Sequence, residues 1–385
     1  MPYRVRKSPL RHLAWIIPLL ALDFFIFRWL ALRQGGCHPA PTPLPTVAVL
    51  GAESLAPPPV WQAMVAPSPQ TNLLNPDEPG VLMPTGSGRV DSAKYGSIRS
   101  DGSGRAIFHE GVDIAAVQRD RRGTPEDPVY AVAAGRVAFV NSSSGASNYG
   151  KYIVIEHPDP SLGLISRRDG STEPAVVYTL YAHLADIRFG VRPGLVVNPG
   201  DILGTMGHTS NTRPPIPVQR AHLHWEIGVM LHARYDVRAR EQKMQNPFGN
   251  YNGGNLFGLD PLDFYAAHVR DPGLTMATYL ASVPRAAEVV VRGRTPDFFR
   301  RFPALWSGAP HDGGPLWLAM SESGIPLVGR NATPAEIKLL GNRRYAVARA
   351  YPETIGRNGR GYFTSVQGTW DFSSRGRQWA DQLLY

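Results

Sequence analysis

The sequence predicts a mainly β protein, an antiparallel β-sandwich or half-open barrel followed by a smaller α+β extension. Three observations predict this fold. Short β-branched runs at 129–133, 135–140, 151–156, 175–180, 195–197 and 223–229 are separated by turn residues, with glycine or proline in nearly every gap. No strand–helix–strand rhythm appears, and no glycine-rich phosphate loop opens a helix, which excludes a doubly wound nucleotide-binding fold. Beyond residue 274 the strand runs spread out to 288–291, 316–320, 345–350 and 361–366, with a helix start between the second and third.

Taken in order, the chain begins with four cations, Arg4, Arg6, Lys7 and Arg11, and no acid before residue 13. Residues 13–32 are an apolar run broken only by Asp23 and Arg28. A basic flank ahead of an apolar stretch reads as a secretory signal or a single inner-membrane anchor with its positive end inside. The two mid-run charges make it a poor span, and anchor and cleaved signal both stay open. Cys37 is the only cysteine, so no intramolecular disulfide can form. Residues 1–37 are therefore assigned to signal or anchor. Residues 38–79 hold eleven prolines and no sustained period of 2 or 3.6, and read as a semi-rigid linker.

Residues 80–270 form the expected β domain. Its informative stretch is Ala221-His222-Leu223-His224-Trp225-Glu226-Ile227. On a strand, alternation puts His222, His224 and Glu226 on one face and turns Leu223, Trp225 and Ile227 into a core. Upstream, His109 and Asp113 supply a second imidazole and a carboxylate four residues apart, and Tyr181-Ala182-His183-Leu184 adds a further histidine. Neutral imidazole is a common zinc ligand, so this set points to metal chemistry. Three longer connections, 118–127, 157–174 and 211–220, are expected to form walls of a substrate cleft. Residues 13–274 are nearly neutral, and no basic stripe interleaved with aromatics points to nucleic acid.

These pieces, in this order, resemble the lysostaphin-type (LytM-like) zinc metallopeptidases that cut peptidoglycan. The shared pattern is a His-x-x-x-Asp, a His in a Tyr-x-His-Leu context, and a final His-Leu-His on a strand. It is preceded by a Tyr95-Gly96-Ser97-Ile98-Arg99 lead-in and followed by Asp260-Pro261-Leu262, near the end of the domain. The resemblance covers roughly residues 80–265. It implies a Zn2+ cofactor held by His109, Asp113 and His224. It leaves His183 and His222 unligated beside the metal, to position the attacking water and stabilise the oxyanion. Glu226 is a candidate partner for a ligand histidine. His208, in a turn ahead of the histidine strand, is expected to be a loop residue.

Residues 275–385 hold 14 basic and 8 acidic residues, a balance of +6, with four tryptophans between 306 and 379. Thr333-Pro334-Ala335-Glu336 reads as a capping-box helix start. This basic extension could dock anionic polymer or lipid, or simply pack on the domain before it. The expected activity is hydrolysis of peptide bonds in peptidoglycan stems or cross-bridges, in the cell envelope and outside the cytoplasm. The competing expectations are a non-catalytic LytM-like regulator of another wall hydrolase, and a zinc peptidase for a non-wall protein.

Overall fold

The computed structural model describes residues 60–100 and 106–385. The apolar run 13–32, Cys37 and the linker up to residue 59 lie outside them. Among the described residues, no helix is long and apolar enough to cross a membrane.

The architecture is mainly β and antiparallel, with a C-terminal extension. The principal sheet contains β1 (Val112–Ala115), β2 (Gly135–Asn141), β3 (Tyr152–Ser166), β4 (Thr172–Ala182), β5 (Val196–Val197), β6 (His222–Met230) and β7 (Leu256–Leu259). Its order is β7-β6-β4-β3-β2-β5, with β1 paired to the first half of β6. A smaller sheet of Pro128–Tyr130, Ile202–Thr205 and Asp186–Ile187 lies beside it.

The alternation along β6 has the predicted consequence. Leu223, Trp225 and Ile227 are fully buried in the main apolar core, with Ile114, Ile153 and Tyr181. Burying such a side chain contributes about 1.5–3 kcal/mol, so a one-residue slip of β6 would forfeit several of these contributions at once. The register thereby fixes the functional face opposite. Gly111 is required by close approach: a Cβ there would lie 2.3 Å from the Trp225 carbonyl oxygen.

Two stretches, 60–79 and 157–174, differ from the sequence reading. Residues 60–79, read as linker, lie on the domain: Trp61 is 1% exposed, donates Nε1–H to Asp159 Oδ2 at 2.8 Å and packs edge-on to Phe264. Isolated apolar anchors carry this docking, and they leave no period to detect. The connection 157–174 continues the hairpin of β3 and β4 out to Ser166 and Thr172. It turns toward the extension, where a Cβ on Gly163 would meet Pro303 Cγ at 2.3 Å.

The extension is not set apart either. Its sheet, β8 (Ala287–Val291), β9 (Leu316–Met320), β10 (Pro326–Asn331) and β11 (Tyr345–Ala350), runs in the order β10-β9-β8-β11. Val289, Leu318, Phe298, Phe302 and Trp379 belong to the same apolar core as Trp225 and Leu223. The helix Pro334–Leu340 starts at the expected capping box of Thr333 and Glu336.

Candidate metal centre and its cleft

Strand register assembles the centre. In the β1–β6 pair, His224 stands directly opposite Asp113. Cross-strand partners on one face are close enough to touch, so two of the implied ligands meet by pairing alone. His109 enters at the end of the preceding strand Ala106–Phe108, with its N–H on Ser97 O at 2.9 Å. His183 follows the end of β4 and adopts φ of 62°, a left-handed conformation rare for a non-glycine residue and characteristic of functional positions. It is held there by its N–H on Tyr149 O at 2.9 Å.

Three donor atoms converge. His109 Nε2 lies 3.1 Å from Asp113 Oδ1 and 3.0 Å from His224 Nδ1, and His224 Nδ1 lies 3.0 Å from Asp113 Oδ1. Zinc ligands at 2.0–2.1 Å in a tetrahedron stand about 3.3 Å from one another, so this triangle is close to the right size. Among the described residues, these three are the buried group able to hold a metal ion together. His222 Nε2 lies further out, 3.5 Å from Asp113 Oδ1.

The tautomers follow from the hydrogen bonds. His109 Nδ1 faces Lys94 O at 2.8 Å, His183 Nδ1 faces Thr209 O at 2.9 Å, and His222 Nδ1 faces Arg220 O at 2.7 Å. A carbonyl only accepts, so each Nδ1 carries the proton and each Nε2 keeps a lone pair; Arg99 Nη2, 3.0 Å from His109 Nδ1, donates instead to Asp113 Oδ2. His224 is reversed: its Nε2 faces Glu226 Oε1 at 2.9 Å, which frees Nδ1. Glu226 is fully buried and held as a carboxylate by Tyr149 Oη at 2.7 Å and Tyr178 Oη at 2.8 Å. Each of the four imidazoles thus has one nitrogen held by the protein, and in His224 the nitrogen left for the centre is Nδ1, at 3.0 Å from Asp113 Oδ1. The donor set suits zinc, with two neutral imidazoles and one carboxylate.

Charge is arranged to match. Burial would raise the Asp113 carboxyl, but Arg99, with Nη2 donating to Oδ2 at 2.7 Å, and the neighbouring histidines hold it well below the usual range. Burial lowers His109 to about 4 and also lowers His183 and His222, so these rings are neutral at pH 7. For His224, burial is outweighed by hydrogen bonds to Asp113 and Glu226, and its pKa rises to about 9 in the metal-free centre.

The centre floors an open cleft of about 1980 Å³. Of the three long connections, only 211–220 lines it, through Asn211–Pro217 and Arg220. Residues 118–127 instead fold back on themselves, with Asp127 Oδ1 and Oδ2 capping the N–H groups of Val117 and Gln118. Arg119 ties that loop to the carbonyls of Val218 and Ala221, just ahead of the histidine strand. His208 is a loop residue whose Nδ1 donates to Ile216 O at 2.8 Å.

Several participants escape sequence reasoning. Tyr149 and Tyr178 sit in unremarkable contexts, and only the fold brings them to Glu226. Arg360, from the extension, pairs with Glu110 beside His109 and stacks over Phe108 and Phe257 at 5.1 and 4.8 Å. Arg220 could have been suspected from its place two residues before His222.

Comparison with curated proteins finds no match. Among solved structures, the chain is similar to a zinc containing peptidase from Vibrio cholerae, at 26% identity over 34% of this chain and 31% of that one, with a TM-score of 0.23. It is also similar to the catalytic domain of the antimicrobial peptidase lysostaphin from Staphylococcus simulans, at 22% identity over 45% of this chain and 89% of that one, with a TM-score of 0.25. The match thus spans about a third of the Vibrio protein's own length. Residues 107–236, which contain all five implied site residues, match the family model of peptidase family M23.

Proposed function

We propose that the chain is a zinc-dependent endopeptidase that hydrolyses peptide bonds in peptidoglycan stems or cross-bridges, acting in the cell envelope outside the cytoplasm. The observation that carries this reading is the set of four imidazoles, each with one nitrogen satisfied by the protein and the other left facing a common point in the cleft. A hydrolase can use such a set, some nitrogens to hold an ion and others to move a proton, and this supports the catalytic reading over the non-catalytic one.

His109, Asp113 and His224 would hold the ion. Bound there, zinc supplies Lewis-acid polarisation of the scissile carbonyl and acidifies water toward neutral pH. Arg99 holds Asp113 Oδ2, so that Oδ1 turns to the centre. Glu226 holds the Nε2–H of His224, which fixes the tautomer and strengthens Nδ1 as a donor. The free Nε2 atoms of His183 and His222 sit on adjoining rings with centroids 4.8 Å apart. Either can accept a proton from the attacking water and return it to the departing amine. The remaining nitrogen and its carbonyl partner keep each ring from turning.

The test is digestion of purified wall sacculi by the full-length protein, with released fragments identified by mass spectrometry. Zinc-dependent release of peptide fragments with new amino termini is expected. Intact sacculi after incubation with the zinc-loaded protein would refute the proposal.

A further inference from the structure

The cleft walls carry charge that the metal centre does not use. Four acids line the cleft, and each is already engaged. Asp91 faces Lys94 at 3.3 Å, Glu110 pairs with Arg360, and Asp113 pairs with Arg99 at 2.7 Å. Glu226 accepts from two tyrosines and His224. Four arginines line the same cleft; Arg99 is the partner of Asp113, which leaves three, Arg89, Arg213 and Arg220. Among the described residues, none of the three has a carboxylate partner, so the free charge of the cleft is positive although the surrounding region of sequence is nearly neutral.

Arg220 is the one nearest the chemistry. Its own carbonyl oxygen fixes His222 Nδ1, so its main chain is tied to the floor of the site. Its Nε donates to Pro84 O at 3.1 Å, which orients the side chain and leaves both terminal amino groups of the fork without an acceptor among the described residues. It lies close enough to Asp113 and Arg99 that both charges act on it, and partial burial costs it hydration. A half-buried guanidinium beside a second guanidinium, with its terminal donors open to a cleft, needs an anion. Its planar fork matches a carboxylate in bidentate fashion. Arg213 stands at the exposed rim of the same wall.

We propose that Arg220, supported at the rim by Arg213, binds a carboxylate of the peptide substrate next to the scissile bond, so that this cleft selects acidic peptides over neutral ones such as glycine chains. The inference rests on the peptidase reading and specifies its substrate class. Arg220 is then a binding residue of the metal site's own cleft, and the loop 211–220 is the element that sets specificity.

The experiment uses a cross-linked peptide dimer purified from peptidoglycan, either with its free carboxylates intact or with them converted to carboxamides. The full-length zinc-loaded protein is expected to cleave the carboxylate form with about tenfold or greater advantage in kcat/KM, carried by KM. Arg220→Gln should bring that ratio close to one, and Arg213→Gln, at an exposed position, should reduce it partly. Equal cleavage of both forms by the wild type would overturn the inference and leave the peptidase reading standing. A fall in kcat of the same size on both forms in Arg220→Gln would assign the arginine to the oxyanion and also overturn it. If neither form is cleaved, the peptidase reading fails, and calorimetric titration of both forms into metal-free protein decides the inference alone. Tighter binding of the carboxylate form, erased by Arg220→Gln, would sustain it; equal binding would end it.

Discussion

The floor of the cleft and the C-terminal extension are both antiparallel sheet around the same apolar core, yet they use buried polar groups in opposite ways. In the floor, His109, His183, His222 and His224 each bond the protein through one nitrogen and keep the other open. In the extension, buried polar groups close onto backbone. Arg301 donates Nη2 to Met230 O and Leu231 O, both at 2.9 Å, at the far end of the histidine strand. Gln382 donates to Gly254 O at 3.0 Å, beneath a loop that lines the cleft, and Trp379 Nε1 donates to Gly324 O at 2.8 Å. The difference teaches which region is built to react and which is built to hold the other in place.

The largest expected effect tests the holding role. Arg301 also pairs through Nε with Asp297 Oδ2 at 2.6 Å, and both are largely shielded from solvent. Arg301→Ala removes the main partner of the Asp297 carboxylate, which keeps only the Ala233 N–H at 3.1 Å and Arg300 at 4.0 Å, and leaves two carbonyls unpaired, so unfolding by denaturant should show a loss of about 2–4 kcal/mol. A loss below about 1 kcal/mol would mean that the extension is only loosely attached. A smaller effect is expected inside the floor. Glu226→Gln keeps the shape but weakens the hold on His224 Nε2–H, and zinc affinity measured by chelator competition should fall about 10–100-fold with stability little changed.

Smaller still is the pH response of the centre. In the metal-free protein His224 has a pKa of about 9, and its Nδ1 must be free of the proton before it can bind an ion. Below that pH the ion competes with the proton, so zinc affinity should rise about tenfold per pH unit until it levels off near pH 9. The same raised pKa stabilises the metal-free fold fully below the ordinary histidine range, and that contribution is lost as pH climbs through about 9. Affinity that is flat between pH 6.5 and 8.5 would mean that His224 is already neutral and the site is held differently.

How far the molecule was legible in its sequence follows the same division. The floor was readable because one strand, His222–Met230, carries a period of two whose apolar half fixes its register and whose polar half bears the chemistry. His109 and Asp113 were readable because four residues and a sharp Gly111 turn place them together. The helix at Thr333 was readable because a capping box is local. Docking was not. Trp61, Arg301 and Arg360 make contacts 70–250 residues away in sequence, and nothing local announces them. The connection 157–174 misled because its Pro, Gly and Asp residues signal a loop, while the register of β3 and β4 resumes beyond a bulge between Asp159 and Leu164. Tyr149 and Tyr178 were invisible for the same reason as the docking residues: strand pairing brings Tyr178 to Glu226, and Tyr149 reaches it from a turn 77 residues away.

The most direct test of the central claim compares two histidines on one strand. His224 gives Nδ1 to the ligand triangle, whereas His222 Nε2 stands 3.5 Å from its nearest member, Asp113 Oδ1. Purified wild type and His222→Ala should each carry about one equivalent of zinc by atomic emission, and His224→Ala should carry almost none. Both variants should lose hydrolysis of wall peptides, His222→Ala by about 10²–10⁴-fold through the missing proton acceptor. Equal loss of zinc in both would make His222 a ligand and contradict the division between holding the metal and moving the proton.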